Sequence, residues 1–199
     1  MGILKRRVLI PGLLTFALAL SLISGCGQSP EPDAYKQGGL ALGDKAYNFS
    51  LMDNTGQLMK LSDVQEGWYL VLILYRGHWC SACLNQLLDL KNDFPKFTQL
   101  HASMAAASTD PVEDSADFMK EWRFPFPLLS DTKLQVIDAY GARHPRGHEE
   151  KDIAHPSVII IDPQKIVRYK YVGKVATDRP SNDEILFALQ QIEQQAAKH

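Results

Sequence analysis

An unbroken apolar segment at residues 69–75 (YLVLILY) places the strongest constraint on the fold. A strand with one face in water alternates apolar and polar residues, whereas a strand covered on both faces is apolar throughout. A second run of this kind, SVIII, spans Ser157–Ile161. The two runs therefore predict strands that lie inside a layered structure, with other elements packed on both faces.

Helical and strand-like segments alternate between these two runs. Leu84–Leu100 places apolar residues at mostly helical intervals, although Pro95 is expected to kink or end that helix. Residues 101–108 (HASMAAAS) predict a further strand, and a helix follows to about Trp122. This alternation predicts an α/β fold with crossover connections.

Two helix starts and one hairpin can also be read from the sequence. Residues 110–113 (DPVE) offer Asp110 as an N-cap and a proline at the first helical position, and residues 181–184 (SNDE) have the form of a capping box. Residues 166–172 alternate and begin four residues after the SVIII run, so the two segments are expected to pair as a hairpin. The central sheet is therefore predicted to be mixed.

Composition limits the function classes. The chain has 199 residues with 45% hydrophobic and 22% charged residues, which suits one ordinary globular domain. Lys and Arg number 21 against 23 acidic residues, and no basic run occurs after the first seven residues. A nucleic-acid binder would show a basic patch or stripe, so nucleic acid is not expected as a partner.

The N-terminus is typical of a targeting segment. Lys5, Arg6 and Arg7 precede an apolar stretch at residues 8–23, and Ser24 and Gly25 lead to Cys26. The run ISGC resembles the lipobox of bacterial lipoproteins, which implies a signal peptide at residues 1–25 and lipid attachment to Cys26. The alternative is an uncleaved N-terminal anchor with an incidental cysteine.

The segment after this cysteine lacks a sustained apolar period. Residues 26–45 are therefore interpreted as the lipidated cysteine and a flexible tether, and residues 46–199 as one folded domain. Removal of residues 1–25 takes away three cations and leaves a formal charge of −5, which does not favour binding to anionic lipid, so acyl chains would hold the protein. The expected location is extracytoplasmic. Gly27 favours the outer membrane if the source is Gram-negative.

A C-x-x-C motif directly follows the first apolar run. Cys80 and Cys83 lie where a strand gives way to a helix, so the first sulfur is expected near the unpaired N–H groups of the helix start, which favour a thiolate. Two thiols one turn apart suit disulfide exchange, because the second can resolve a mixed disulfide. A structural disulfide and half of a zinc site are the alternatives, although zinc would need two further ligands.

The motif resembles that of a known superfamily. Trp79–Cys83 (WCSAC) looks like the W-C-x-x-C of thioredoxin-fold proteins, and His155-Pro156-Ser157 resembles their strand that begins with a cis-proline. The wider pattern is similar to the peroxiredoxin-like branch, the alkyl hydroperoxide reductase and thiol-specific antioxidant relatives. The segments that carry this likeness are LYRGHWCSAC, STDPVEDSADFMKEW, FPFPLLSDTKLQVIDAYG and residues 178–181. The resemblance implies a thioredoxin-like fold, with a central mixed β-sheet flanked by helices.

The resemblance leaves two assignments of the nucleophile open. Peroxiredoxins place the peroxidatic cysteine eight residues after a tyrosine, and counting from Tyr75 reaches Cys83. In that register Cys80 and Arg76 occupy positions that hold Thr or Ser and Pro in peroxiredoxins. In the thioredoxin register, Cys80 is an exposed nucleophile and Cys83 resolves.

Several residues are candidates for supporting roles. Arg76 and His78 flank the thiols and could favour a thiolate by charge. The resemblance implies that His155 lies beside Cys80 across the Pro156 turn, where it could carry a proton. Residues 143–151 (RHPRGHEEK) contain two histidines but are interpreted as a solvated charged loop, because a proline and a glycine break any helix that would align the rings.

The sequence therefore predicts an antioxidant thiol oxidoreductase that cycles Cys80 and Cys83, with no cofactor and no metal. Its substrates would be peroxides or protein disulfides, a thiol donor would supply electrons, and a lipid anchor would hold it at a membrane. The alternative is a copper or haem-maturation chaperone that binds metal or a partner protein through the cysteine pair.

Overall fold

A computed structural model describes residues 1–2 and 38–197 of the chain. Cys26 and nearly all of the predicted signal peptide lie outside the described residues. Within the described part, none of the helices combines the length and the apolar character that crossing a bilayer requires.

Seven strands form one mixed sheet in the order β2-β1-β5-β4-β3-β8-β9, and two further strands, β6 and β7, form a separate hairpin. The strands are β1 (Ser50–Asp53), β2 (Leu58–Lys60), β3 (Tyr69–Leu74), β4 (Ala102–Ser108), β5 (Leu128–Ser130), β6 (Arg143–His148), β7 (Lys151–Ala154), β8 (Ser157–Ile161) and β9 (Val167–Val172).

The centre of the sheet is parallel and its edges are antiparallel. β3, β4 and β5 run in the same direction, and Leu72 pairs with Ala105 on one side and with Ile159 of antiparallel β8 on the other. β8 and β9 form the hairpin expected from the sequence. Every residue of β3 and β8 is buried, as the unbroken apolar runs predicted.

In the part of the chain that the structure describes, five helices cover the two faces of the sheet and create a separate core on each. The helices are α1 (Leu61–Gln65), α2 (Ser81–Gln99), α3 (Val112–Trp122), α4 (Gln135–Ala139) and α5 (Asn182–Ala196). Leu87 and Leu90 of α2 pack with Leu189 of α5 against one face. Leu61 of α1 and Ile137 of α4 belong to the core of the other face. The sequence prediction of an α/β layered fold is confirmed.

Helix α2 continues through Pro95, which was expected to kink or end it near this point. The helix runs four residues further to Gln99, and Phe97 in this last turn is fully buried. A proline so close to the C-terminus removes only one helical N–H, and burial of a phenylalanine offsets that loss. The predicted capping box of α5 is present, since the backbone N–H of Glu184 donates to Ser181 Oγ over 3.3 Å.

Residues 38–45, which were assigned to the tether, are hydrogen-bonded to the domain. The amide of Leu40 donates to the carbonyl of Ala139 over 2.7 Å, and that of Gly43 donates to the carbonyl of Val167 over 2.9 Å. The ammonium of Lys170 reaches the carbonyl of Leu40 over 2.6 Å. These backbone bonds do not depend on side-chain pattern, so hydropathy could not reveal them.

Candidate active site

The two cysteines lie where central strand β3 passes into α2. Cys80 is the N-cap residue of the helix, and Cys83 is its third helical residue. Both are free thiols, with 5% of Cys80 and none of Cys83 exposed to solvent. Cys80 is therefore far less exposed than the thioredoxin register predicted, although it remains the more accessible of the two sulfurs.

The pKa values of the two thiols are shifted in opposite directions. The Cys83 thiol donates a hydrogen bond that lowers the pKa of Cys80 to about 6, and its backbone N–H and the cations Arg179 and Arg76 add to this effect against the cost of burial. The same hydrogen bond and burial raise the pKa of Cys83. At neutral pH, Cys80 is accordingly the thiolate and Cys83 the thiol that stabilises it.

Arg179, just before α5, contacts the inner cysteine. Its Nη2 lies 3.7 Å from Cys83 Sγ, and its Nη1 donates to Gln86 Oε1 over 2.9 Å. Nη2 also donates to the backbone carbonyl of Ala176. The guanidinium is thus held beside the dithiol by two oxygen acceptors, one in α2 and one in the segment between β9 and α5.

Asp110 anchors the loop that carries the cysteines. Its carboxylate accepts hydrogen bonds from the backbone N–H of His78 over 2.7 Å and from Ser108 Oγ over 2.9 Å, and it lies 3.2 Å from His78 Nδ1. Asp110 was predicted to cap α3, but Pro111 is the N-cap residue and makes no side-chain cap bond. The helix start was predicted to within one residue, whereas the capping role predicted for the Asp110 carboxylate was wrong.

Gly77 allows this loop to pass close to its neighbours. Its φ is +150°, and a Cβ at this position would lie 2.4 Å from Trp79 Nε1 and 3.0 Å from Asp110 Oδ1. A side chain would therefore displace either the tryptophan or the anchoring carboxylate.

The β6–β7 hairpin packs over the motif, so residues 143–151 form paired strands rather than the expected loop, although six of these nine residues are exposed to solvent as expected. The ring of His148 stacks on Trp79 with centroids 3.5 Å apart. Arg76 donates from Nη2 to the carbonyl of Gly147 over 3.1 Å, and its guanidinium lies 5.1 Å from the Trp79 ring centroid. These contacts between distant segments, together with strand pairing, order the charged sequence.

His155 and Pro156 differ from what the resemblance implied. No peptide bond in the described residues is cis, so the expected cis-proline at Pro156 is wrong. The backbone N–H of His155 donates to the carbonyl of Ala142, just before β6, and the carbonyl of Pro156 accepts from the N–H of Gly173, just after β9. These two bonds hold the turn with a trans peptide bond. The His155 ring stacks on His144 at 4.4 Å, and burial lowers the pKa of His155, with His144 and Arg76 adding to the shift.

Potential metal ligands occur in one group of the described residues, His78, Asp110 and Asp114, whose ligand atoms lie within 4.8 Å of one another. The two acids both approach Nδ1 of His78, at 3.2 and 3.9 Å. Hydrogen bonding of that nitrogen accounts for this arrangement without an ion. His144 and His148 do not converge, because each ring stacks on a different aromatic partner.

Asp110, Arg179 and His148 were not among the site residues predicted from the sequence. Asp110 follows β4 and binds the loop before Cys80, and Arg179 precedes α5 and contacts Cys83, so both reach the site from segments far away in the chain. The DPVE motif had a sufficient local explanation as a helix cap, and Arg179 lies in the segment 178–181, which contributed to the family likeness without a role being assigned to it. Of the predicted residues, Cys80, Cys83, Arg76, His78 and Trp79 form one cluster.

A mixed sheet with a dithiol at the start of the helix after its central strand defines a thioredoxin-fold thiol protein. A profile of the AhpC/TSA family matches residues 42–170. This match spans more than half of the chain, so the protein belongs to the AhpC/TSA family. The fold and family predicted from the sequence are confirmed.

Relatives of known name agree with this assignment. The chain is 32% identical over 101 residues to a Mycobacterium tuberculosis protein provisionally named as a peroxiredoxin, across 51% of this chain and 66% of the relative. It is 30% identical over 99 residues to the thiol-disulfide oxidoreductase ResA of Bacillus subtilis, across 49% of this chain and 54% of ResA. The chain thus spans just under two thirds of the first of these relatives and about half of the second.

Among solved structures, peroxidoxin BcpB from Mycobacterium tuberculosis superposes with a TM-score of 0.69 at 27% sequence identity. The superposition covers 77% of this chain and 98% of BcpB. These names favour a thiol-dependent oxidoreductase over the copper or haem-maturation chaperone considered from the sequence.

Proposed function

We propose that this protein is a thiol-dependent oxidoreductase in which Cys80 attacks the substrate and Cys83 resolves the product. The observation that carries the proposal is that the pKa values of the two thiols are shifted in opposite directions. The pKa of Cys80 is lowered to about 6, and the pKa of the fully buried Cys83 is raised. The outer sulfur is therefore ionised at neutral pH and is also the one that an incoming molecule can reach.

The cycle requires two steps with a disulfide substrate. The Cys80 thiolate attacks one sulfur, forms a mixed disulfide and expels the first substrate thiolate. Cys83 then attacks Cys80 Sγ, which forms the Cys80–Cys83 disulfide and releases the second substrate thiol. An external dithiol reduces the enzyme and completes the cycle. With a peroxide, the Cys80 thiolate attacks one peroxide oxygen, the O–O bond breaks, and Cys80 becomes a sulfenic acid while an alcohol, or water from hydrogen peroxide, is released. The Cys83 thiol then condenses with the sulfenic acid to form the disulfide and releases water.

The geometry does not support Cys83 as the first nucleophile. Its sulfur has no exposed surface, and its thiol is engaged with Cys80. The positions that hold Pro and Thr or Ser in peroxiredoxins are Arg76 and Cys80 here. A hydrogen-bond donor that stabilises the transition state is worth about 10²–10³ in rate, so loss of the threonine position slows reaction with peroxide.

The proposal predicts that disulfide exchange is at least as fast as peroxide reduction. Stopped-flow tryptophan fluorescence of the reduced protein, mixed in turn with hydrogen peroxide and with a small disulfide, measures both rates, and Trp79 beside Cys80 provides the signal. The Cys80→Ser variant is the control and should respond to neither oxidant. A fast peroxide reaction that survives in Cys80→Ser would identify Cys83 as the nucleophile and refute the assignment.

We further propose that the domain works outside the cytoplasm, attached to a bacterial membrane through lipid on Cys26. The order of basic residues, apolar stretch, small residues and cysteine at residues 5–26 supports this location. Bound lipid would keep the dithiol near the membrane surface, in a compartment where disulfide substrates occur.

The anchor proposal predicts that a fatty-acid analogue labels the wild-type protein in bacterial cells. Cys26→Ser should lose the label and accumulate as an uncleaved precursor, because position 26 no longer carries a thiol that can be acylated. Cys80→Ser is the matched control and should be labelled normally. Normal labelling and processing of Cys26→Ser would contradict the proposal.

A further inference from the structure

We propose that Arg76 is a positioning residue that holds the tip of the β6–β7 hairpin on the active-site loop while Cys80 is a thiolate, and releases the tip when that charge is lost. This inference rests on the proposed function, because it assigns a conformational consequence to the oxidation of Cys80. The tip comprises residues 146–151, and the active-site loop comprises residues 75–80, between β3 and α2.

The hairpin depends on contacts with the rest of the domain. Its two strands form a separate sheet, and their pairing is irregular between His144 and His148. Arg146, Glu149 and Glu150 have left-handed backbone conformations, with φ of 48°, 47° and 58°. An isolated two-stranded hairpin is marginally stable in water, and left-handed conformations of residues other than glycine add to its cost. Contacts outside the hairpin therefore determine its position.

Different contacts hold the base and the tip of the hairpin. The base is joined to α4 by an ion pair of Arg143. At the tip, the carbonyl of Gly147 accepts a hydrogen bond from Nη2 of Arg76 over 3.1 Å, and the ring of His148 stacks on Trp79. The guanidinium of Arg76 also lies 5.1 Å from the centroid of the Trp79 ring. Both contacts of the tip therefore involve Arg76, directly or through the tryptophan.

The guanidinium of Arg76 is half-buried and lacks a carboxylate partner. Among the described residues, none of the ion pairs includes Arg76, and its Nε is buried without an acceptor. Its positive charge contributes to the lowered pKa of Cys80 and also acts on His155, an imidazole that supplies no negative charge. Because such coupling is reciprocal, the Cys80 thiolate stabilises the guanidinium in this position.

Oxidation removes this compensating charge. When a disulfide substrate is reduced, the Cys80 thiolate and the Cys83 thiol become a disulfide, and two electrons and one proton pass to the substrate. The dithiol thereby loses one negative charge, whereas Arg76 keeps its positive charge. A half-buried cation without a counter-charge favours water, so the guanidinium leaves Gly147 and the tip is released. Trp79 then becomes accessible to the thiol donor that reduces the enzyme.

Hydrogen–deuterium exchange of the full chain, followed by peptide mass spectrometry, measures this release. We expect the amides of residues 146–151 to exchange at least about threefold faster in the oxidised protein than in the reduced protein at pH 8, because a coupling of half a pKa unit changes an equilibrium about threefold. Amides of β3 and β4, in the centre of the sheet, should exchange equally in both forms.

Two variants of the same shape test the charge without a disulfide. Cys80→Asp keeps an anion at the N-cap position of α2, and Cys80→Asn is its neutral counterpart. Asp and Asn are equally good N-cap residues, so the helix start is preserved in both variants. The tip should exchange faster in Cys80→Asn than in Cys80→Asp, by a factor similar to the effect of oxidation.

Variants of the arginine separate the coupling from a merely structural contact. Arg76→Gln should remove the difference in exchange between the reduced and oxidised forms, and Arg76→Lys should retain part of it. Lys151→Gln removes an exposed cation of the hairpin itself and is the matched control, with the redox difference unchanged.

The possible outcomes separate the inference from the proposed function. Equal exchange of the tip in reduced wild-type protein and in wild-type protein that carries the disulfide would overturn the inference, as would a redox difference that persists in Arg76→Gln. If Arg76→Gln does not fold, equal exchange in the two Cys80 variants would overturn it instead. If no Cys80–Cys83 disulfide forms while the two Cys80 variants still differ, the proposed function fails and the role of Arg76 stands.

Discussion

Replacement of Cys83 by serine is expected to stop turnover after one event and to leave the substrate bound through Cys80 as a mixed disulfide. Attack by Cys80 does not require the second thiol, whereas release of the substrate does. Steady-state reduction of disulfides should fall by at least about 10³-fold, as when a catalytic nucleophile is removed from a group that acts as a unit. Mass spectrometry of the intact protein and of its peptides would measure the adduct.

The matched variant Cys80→Ser should form no adduct, because the remaining thiol is buried and not ionised at neutral pH. Both variants lack one sulfur of the same pair, so a difference between them reports the order of attack rather than loss of the motif. An adduct on Cys83 in the Cys80→Ser protein, without one on Cys80 in the Cys83→Ser protein, would reverse the assignment.

The alkylation rate of Cys80 should be nearly independent of pH above about pH 7 and fall below pH 6. The pKa of Cys80 is lowered to about 6, so acidification through that pH converts the reactive thiolate into the thiol. Well below the pKa, the thiolate fraction falls about tenfold for each pH unit, so the rate at pH 4 should be about a hundredfold below the rate at pH 7. Iodoacetamide labelling followed by peptide mass spectrometry measures this profile.

The Cys83→Ala variant provides the control for that profile. Alanine cannot donate a hydrogen bond to Cys80, and loss of the Cys83 side-chain hydrogen bond, the largest contribution, should move the midpoint toward higher pH. A wild-type midpoint close to 9, the unperturbed pKa of a cysteine thiol, would show that neither the second thiol nor the nearby cations stabilise the thiolate.

Much of the fold could be predicted because its signals are local. The continuous runs at residues 69–75 and 157–161 identified strands covered on both faces, and the capping box at Ser181 identified the start of α5. The C-x-x-C motif located the dithiol because its position after a buried strand places it at a helix N-terminus. Each of these inferences depends on residues within a few positions of one another.

The rest of the site depends on contacts between distant segments. Asp110 binds a loop 32 positions earlier in the chain, and Arg179 reaches a cysteine 96 positions earlier. His148 is held by its stack on Trp79. The charged composition of its segment does not reveal this contact with a distant residue, and for that reason it suggested a solvated loop. A sequence read locally gives Asp110 a role as a cap and assigns none to Arg179, because only the folded chain brings Asp110 to the loop before Cys80 and Arg179 to Cys83.

The burial of Cys80 has the same origin. A thiol at a helix start after a strand is expected to be accessible, yet only 5% of this residue is exposed. The β6–β7 hairpin packs over the neighbouring residues through Trp79 and Arg76. The proposed reaction therefore begins at a cysteine with little exposed surface.

The central claim is that Cys80 and Cys83 form a reversible disulfide in the folded protein, and peptide mapping of the wild-type chain tests it most directly. The protein would be treated with one equivalent of oxidant, alkylated and mapped by mass spectrometry, and a second sample would receive dithiothreitol under native conditions before alkylation. We expect a stoichiometric Cys80–Cys83 disulfide in the first sample and two alkylated cysteines in the second. Two alkylated thiols after oxidation, or a bridge that dithiothreitol does not reduce in the native state, would contradict the account.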